Sequence, residues 1–182
     1  MVEKMANPIL LTLTPPNKSN HNSPEFYGNS EEINSNYYDD QFKNGKYQLI
    51  ISLEEEIYHQ CDNNSNVVGI FQKPIILKKY VDIDTPFFKW CCHNKIVIPE
   101  VLILFFDILK GDQHLVNNFT IRLTNVLVAK DKIIFHDYTN KEMRDKPYLE
   151  EVALSSSHIL WEYRSDTYLS SSSSITEFSS NK

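Results

Sequence analysis

The residues most able to do chemistry in this sequence are Cys61, Cys91 and Cys92, with His59 and His93 close to them. A structural zinc site needs thiolates or imidazoles spaced so that two reach one ion, commonly with two residues between cysteines. Cys91 and Cys92 are adjacent, and His59 with Cys61 on a strand would supply half a site at best. A cysteine nucleophile needs a base converging on it from elsewhere in the fold, whereas Cys92 and His93 are neighbours whose side chains diverge. The same objection meets Ser155, Ser156 and Ser157 before His158, and the sequence has no Gly-x-Ser-x-Gly elbow. The run Glu54-Glu55-Glu56 suits a solvated strand end, where mutual repulsion is relieved by water, better than an acid catalyst. Four glycines in the whole chain leave no loop to cradle a phosphate. Asn118-Phe119-Thr120 matches a glycosylation sequon, which matters only on a secretory route. These patterns predict no enzyme, no catalytic or metal-ligating residues and no cofactor.

Composition narrows the partners. The net charge is −6, and only Arg122, Arg144 and Arg164 carry guanidinium groups, so neither nucleic acid nor an anionic membrane is an expected partner. No apolar run reaches membrane-spanning length, and Met1 to Pro8 lacks the apolar stretch of a Sec leader. The expectation is synthesis in the cytoplasm, with any export by a route that needs no cleavable leader. An odd number of cysteines, two of them adjacent, fits reduced thiols rather than a disulfide framework.

The elements that must position these residues are mostly strands. In residues 8–14, Ile9, Leu11 and Leu13 share one face. Residues 15–46 form a long polar connection ending at the turn signal Asn44-Gly45. Residues 47–53 alternate as a second strand, with Tyr47, Leu49, Ile51 and Leu53 together. Residues 57–61 and 67–71 pair as a hairpin-like arm across the turn Asp62-Asn63-Asn64-Ser65-Asn66. Residues 74–80 are a further strand. Asp84-Thr85-Pro86 supplies an N-cap and a proline at the first helical position, predicting one short helix over residues 84–93 with Phe87, Trp90 and Cys91 on the face that packs against a sheet. Residues 101–109 are apolar on both faces, as a strand covered on both sides should be, and residues 110–112 read as a turn. The apolar phase slips between Leu123 and Val126, predicting a bulge near Asn125 in the strand of residues 119–129. Strands at residues 132–135, 150–154 and 158–163 follow. Eight or nine strands and one helix predict an all-β fold, a two-sheet antiparallel barrel or sandwich. One domain over residues 1–169 precedes a serine-rich tail, residues 170–182, too polar to order itself.

Several strings in this order resemble the haemolysin-coregulated protein (Hcp) family. They begin with Ile75, Leu77, Lys78 and Lys79, then Asp82 to Pro86 entering the helix, and continue through Phe119-Thr120-Ile121-Arg122-Leu123-Thr124-Asn125-Val126. His136-Asp137, Tyr148-Leu149-Glu150-Glu151-Val152 and His158-Ile159-Leu160-Trp161-Glu162-Tyr163 complete the series, over roughly residues 7–168. The bulky helix (Phe87, Phe88, Trp90), the long polar connection and the serine-rich tail depart from the family pattern. The resemblance implies a phage tail-tube-like barrel whose hexameric rings stack into the tube of a bacterial type VI secretion system. It also implies spike, sheath and effector proteins as partners, secretion through that system, and effectors carried in the lumen. The arm takes the place of the family's extended loop, so Glu54, Glu55, Glu56, Tyr58, Asp62, Asn63 and Asn64 are the expected assembly surface. An Hcp-like carrier or effector acting through its loop and tail, and a small-ligand-binding barrel, are the alternatives.

Overall fold

The computed structural model describes residues 7–16, 23–28, 45–108, 115–136, 139, 146–163 and 174–179. Among these, eleven strands and one helix run in the order β1 (Ile9–Thr14), β2 (Gln48–Ile50), β3 (Ser52–Glu54), β4 (Ile57–Cys61), β5 (Val67–Gln72), β6 (Ile75–Tyr80), α1 (Thr85–Asn94), β7 (Val97–Ile108), β8 (Leu115–Ile134), β9 (Leu149–Ser155), β10 (His158–Tyr163) and β11 (Ser174–Ser179). All pairings are antiparallel. The main sheet has the order β2-β1-β7-β8-β9-β6-β3, with β10 and β11 branching from β8, while β4 and β5 form a separate two-stranded sheet.

Closure into a barrel comes from the segment expected to be one strand over residues 47–53. It breaks at Ile51: β2 pairs with β1, and β3 pairs with β6. The Ile51 N–H donates to the Lys78 carbonyl at 2.8 Å, joining the two ends of the sheet order. This corner also corrects the expected face. Ile51 is exposed, while Ile50 and Leu53 pack into the main core and Tyr47 and Leu49 into a second cluster on the other face. A chain that changes partner at a corner loses its period-2 phase there.

Strand β8 serves two neighbours besides β7. Its first half pairs with β10 up to Thr124, and its second half with β9 from Leu127 onward. Asn125 lies between, at a left-handed φ of 52°, a region in which asparagine is tolerated far better than branched residues. The predicted phase slip is therefore real. The register shift itself lies a little further on, between Val128 and Lys130 against β9, so Ala129 is the bulged residue. Pro99 faces this kink, between the pairs Ile98↔Val126 and Glu100↔Thr124 and beyond the last β1 pair, so its missing N–H costs β1 no ladder bond. Residues 132–134, expected as part of a separate strand, continue β8.

The core fills the barrel and the space under α1. Leu11, Leu13, Ile75, Leu77, Val101, Ile103, Ile121, Leu123, Val152 and Leu154 meet Phe87, Phe88 and Cys91 of the helix. A second cluster, Leu10, Tyr47, Leu104, Phe106 and Leu115, occupies the opposite face of β1 and β7. That is why β7 is apolar on both faces, as predicted.

Two further expectations change. Asp84 precedes α1 and Pro86 opens it, yet the Asp84 side chain caps no helical N–H. Its carboxylate instead accepts from the backbone N–H groups of Tyr27 at 2.6 Å and Gly28 at 2.9 Å. Phe26, from the polar connection, is thereby seated against Phe87 and Phe88. The remainder of residues 17–44, the turn at 110–112 and Leu109 lie outside the described residues. Within the serine-rich tail, Ser174–Ser179 forms β11 and pairs along the whole of β10. Backbone hydrogen bonds to an open sheet edge do not require apolar side chains, so polar composition does not exclude a strand there.

Candidate assembly surface

The arm predicted for residues 57–71 is present. β4 and β5 pair from Ile57↔Gln72 to Cys61↔Val67, with an irregularity at Gln60 and Cys61 near the turn. Asp62 builds that turn: its carboxylate accepts from the N–H groups of Asn64 (2.8 Å) and Asn66 (2.9 Å) and from the Asn66 side-chain amide (3.1 Å). These bonds, led by the Asn66 N–H, stabilise the charged form and hold the Asp62 carboxyl below its ordinary value. Ser65 takes the left-handed conformation, at φ 64°, that lets the chain reverse. Asn63 and Asn64 are exposed at the tip.

At the base, the Lys73 N–H donates to the Glu56 carbonyl at 3.1 Å and the Lys73 ammonium bonds the Glu56 carboxylate at 2.7 Å. The ammonium also lies 5.6 Å from the Tyr58 ring, which stacks on Phe71 at 5.7 Å. Glu54 is exposed at the end of β3, as expected. Glu55 is not a solvated acid: it is half-buried and accepts from the Trp161 indole N–H at 2.9 Å. Burial raises its pKa above the ordinary glutamate value, while the indole bond pulls the other way. Glu55 therefore ties the root of the arm to β10.

The structure adds a feature that the expected polar residues did not capture. Every residue of β4 is exposed, as is every residue of β5 except Gly69 and Gln72. Among them Ile57, Tyr58, Val67, Val68, Ile70 and Phe71 present apolar surface, with Val68 61% exposed. A two-stranded hairpin without a core is marginal in water, and clustered exposed apolar side chains mark an interaction surface. The apolar run Val67-Val68 and Ile70-Phe71 carried that signal in the sequence.

A second constellation lies at the opposite extreme of burial. Lys79, Glu150 and Thr85 are buried where β6, β9 and α1 meet. The Lys79 ammonium bonds Glu150 at 2.9 Å, Asp82 at 2.7 Å and the Tyr80 carbonyl at 2.9 Å. The Thr85 hydroxyl donates to Glu150 at 2.7 Å, and Lys89 bonds Asp131 at 2.5 Å. Burial raises the Glu150 carboxyl above its ordinary range, against the pull of Lys79 and Thr85. With its donors spent on neighbours inside the protein, this network can fasten α1 to the barrel. Sequence reasoning passed over it, although Lys79 follows Ile75 and Leu77 at period 2 and so belongs on their buried face.

The residues weighed for thiol or serine chemistry are placed apart. Cys61 is exposed on the arm, and Cys91 is buried in α1, its thiol pushed up to about 12 mainly by burial. His93 is exposed in the last turn of the helix. The Ser157 hydroxyl donates to the Thr124 carbonyl at 3.1 Å, fixing the β9–β10 turn. Among the described residues no group of three or more His, Cys, Asp or Glu side chains could hold a metal ion.

A closed antiparallel barrel with one flanking helix and a projecting hairpin defines an architecture shared with the Hcp proteins. No family model matches the sequence, and no curated protein does. Solved structures do. A doubly substituted Hcp1 from the E. coli EAEC 042 pathovar is 19% identical with a TM-score of 0.69, over 96% of this chain and 99% of that one. Hcp1 from Salmonella typhimurium is 17% identical at 0.66, over 96% and 95%. The secreted protein Hcp3 from Pseudomonas aeruginosa is 15% identical at 0.60, over 96% and 100%. The chain has the Hcp fold over nearly its whole length, at low identity.

Proposed function

We propose that this chain is a divergent Hcp-like protein of type VI secretion and, more specifically, a structural tube subunit. In this reading six copies form a ring and the rings stack. The arm seats its apolar residues on a neighbouring copy, and the chain works without catalysis. The observation that carries it is the exposed apolar hairpin of Ile57, Tyr58, Val67, Val68, Ile70 and Phe71 on a barrel matched across nearly its whole length to Hcp structures. The hairpin has little to hold it except its base, so a partner surface supplies what the chain lacks. The Asp62 turn and the Glu56–Lys73 pair fix its shape beforehand, which lowers the ordering cost of docking. Glu54, Glu56, Tyr58, Asp62, Asn63 and Asn64 then form the polar rim and tip of that surface, and Glu55 anchors its root. Spike, sheath and effector proteins are the partners this role requires, with export after cytoplasmic synthesis.

Size-exclusion chromatography with light scattering, followed by negative-stain microscopy, tests the proposal. Ring-shaped particles are expected, and their loss on replacing Val68 and Ile70 together by glutamate would place the arm in the contact. A strict monomer at all concentrations contradicts it.

A further inference from the structure

The arm leaves the barrel through two short connectors. Glu55 and Glu56 separate β3 from β4, and Lys73 and Pro74 separate β5 from β6. Neither β4 nor β5 pairs with a strand of the main sheet. The bond from the Lys73 N–H to the Glu56 carbonyl and the Glu56–Lys73 ion pair join the connectors to each other, so the hairpin turns as one body. A few element-terminal residues of this kind are enough to absorb the backbone rotation of a hinge.

The contact that fixes the direction of the arm comes from far along the chain. The Trp161 indole N–H donates to the Glu55 carboxylate at 2.9 Å, across 106 residues of sequence. Trp161 is a firm post: it lies in β10, packs against the core that holds Ile159 and stands opposite Ile121 of β8. The held position nevertheless serves two polar groups poorly. Burial raises the Glu55 carboxyl above its ordinary pKa, so an anion is drawn from water toward a neutral indole. The Gln72 side-chain amide nitrogen, at the end of β5, is buried with no acceptor among the described residues. Swinging the arm outward would return both groups to water. A glutamine at position 55 would accept the same bond without the desolvated charge, so the carboxylate makes the contact releasable rather than tight.

From this geometry we infer that the arm is a hinged element held at one angle by a releasable Glu55–Trp161 latch, with Glu55 as the positioning residue of the assembly surface. Its role in association rests on the self-assembly reading above, whereas the latch itself belongs to the single chain. A latched arm meets a neighbouring copy already aimed, which lowers the ordering cost of docking.

The test measures the distance between spin labels on Cys61, exposed on the arm, and on Val97→Cys, exposed at the start of β7. Cys92→Ser removes the half-buried thiol, and buried Cys91 stays out of reach of the label. Val68→Glu and Ile70→Glu are present throughout this measurement, so that no neighbouring copy holds the arm. A single narrow distance distribution is expected for Glu55 and at least as narrow a one for Glu55→Gln, which keeps the acceptor. Glu55→Ala and Trp161→Phe should each broaden it while the chain stays folded. Equal widths in all four overturn the latch, as does a Glu55→Gln distribution as broad as that of Glu55→Ala. With Val68 and Ile70 restored, Glu55→Ala should associate roughly tenfold more weakly in light scattering, the effect of losing one bond that aims the arm, and Glu55→Gln should not. Unchanged association in Glu55→Ala overturns the positioning role. A chain monomeric in all forms overturns the assembly reading, and the distance measurement still decides the latch.

Discussion

The Lys79 ammonium and the Glu150 carboxylate face each other directly across β6 and β9, and neither reaches solvent. Lys79→Met removes the cation and leaves the buried Glu150 carboxylate without its ammonium partner, so it should cost about 3–5 kcal/mol in urea unfolding. Adding Glu150→Leu should recover most of that loss, because the uncompensated charge is then gone. Glu150 also sets a pH dependence. Burial lifts its folded pKa above the ordinary 4.5, so between that value and the raised one the folded chain holds a proton that the unfolded chain has released. Stability from this residue is greatest below 4.5 and falls as pH rises through the window. Unfolding midpoints measured across that range should therefore decline less steeply for Glu150→Gln than for the wild type. Both residues stood in phase with buried neighbours, Lys79 with Leu77 and Glu150 with Val152, so their burial was legible. Their meeting was not, since strand register across 71 residues of sequence has no local signature.

At the scale of elements, the hairpin and the short helix could be read directly. Turn chemistry at Asp62–Asn66 and Pro86 in the first helical turn are local features, and local features survive into the fold. The side-chain cap expected from Asp84-Thr85-Pro86 is not made, because a distant segment competes for the Asp84 carboxylate. Asp84→Ala should cost about 1–3 kcal/mol and strip hydrogen-exchange protection from the Tyr27 and Gly28 amides, while the amides of β7 stay protected. Had Asp84 been a simple helix cap, protection would be lost in α1 instead. Asn125 marks another limit. The phase slip pointed to it, but only the partner change from β10 to β9 explains why the kink is there. Asn125→Val should destabilise by about 1–2 kcal/mol by forcing a branched residue into the left-handed region, and Asn125→Gly should be close to neutral. The corner at Ile51 left no trace in the alternation of residues 47–53, because a corner needs only one residue to change partners.

At the scale of the molecule, one chain explains its own barrel but not its arm. Apolar area inside the barrel and beneath α1 has a partner within the chain; Val67, Val68, Ile70 and Phe71 do not reach burial there. The barrel was legible because period-2 strands dominate the sequence, and the tail strand was not, because an open edge can recruit polar residues that composition assigns to solvent. Replacing Val68 and Ile70 by glutamate should leave the monomer's unfolding midpoint nearly unchanged, as both side chains are exposed, while weakening association severalfold in light scattering. The central claim is self-assembly into six-membered rings, and native mass spectrometry of the full chain tests it most directly. The account predicts a species of six chain masses that gains intensity with concentration. A spectrum holding only the single chain mass, at concentrations where the protein remains folded, would contradict it.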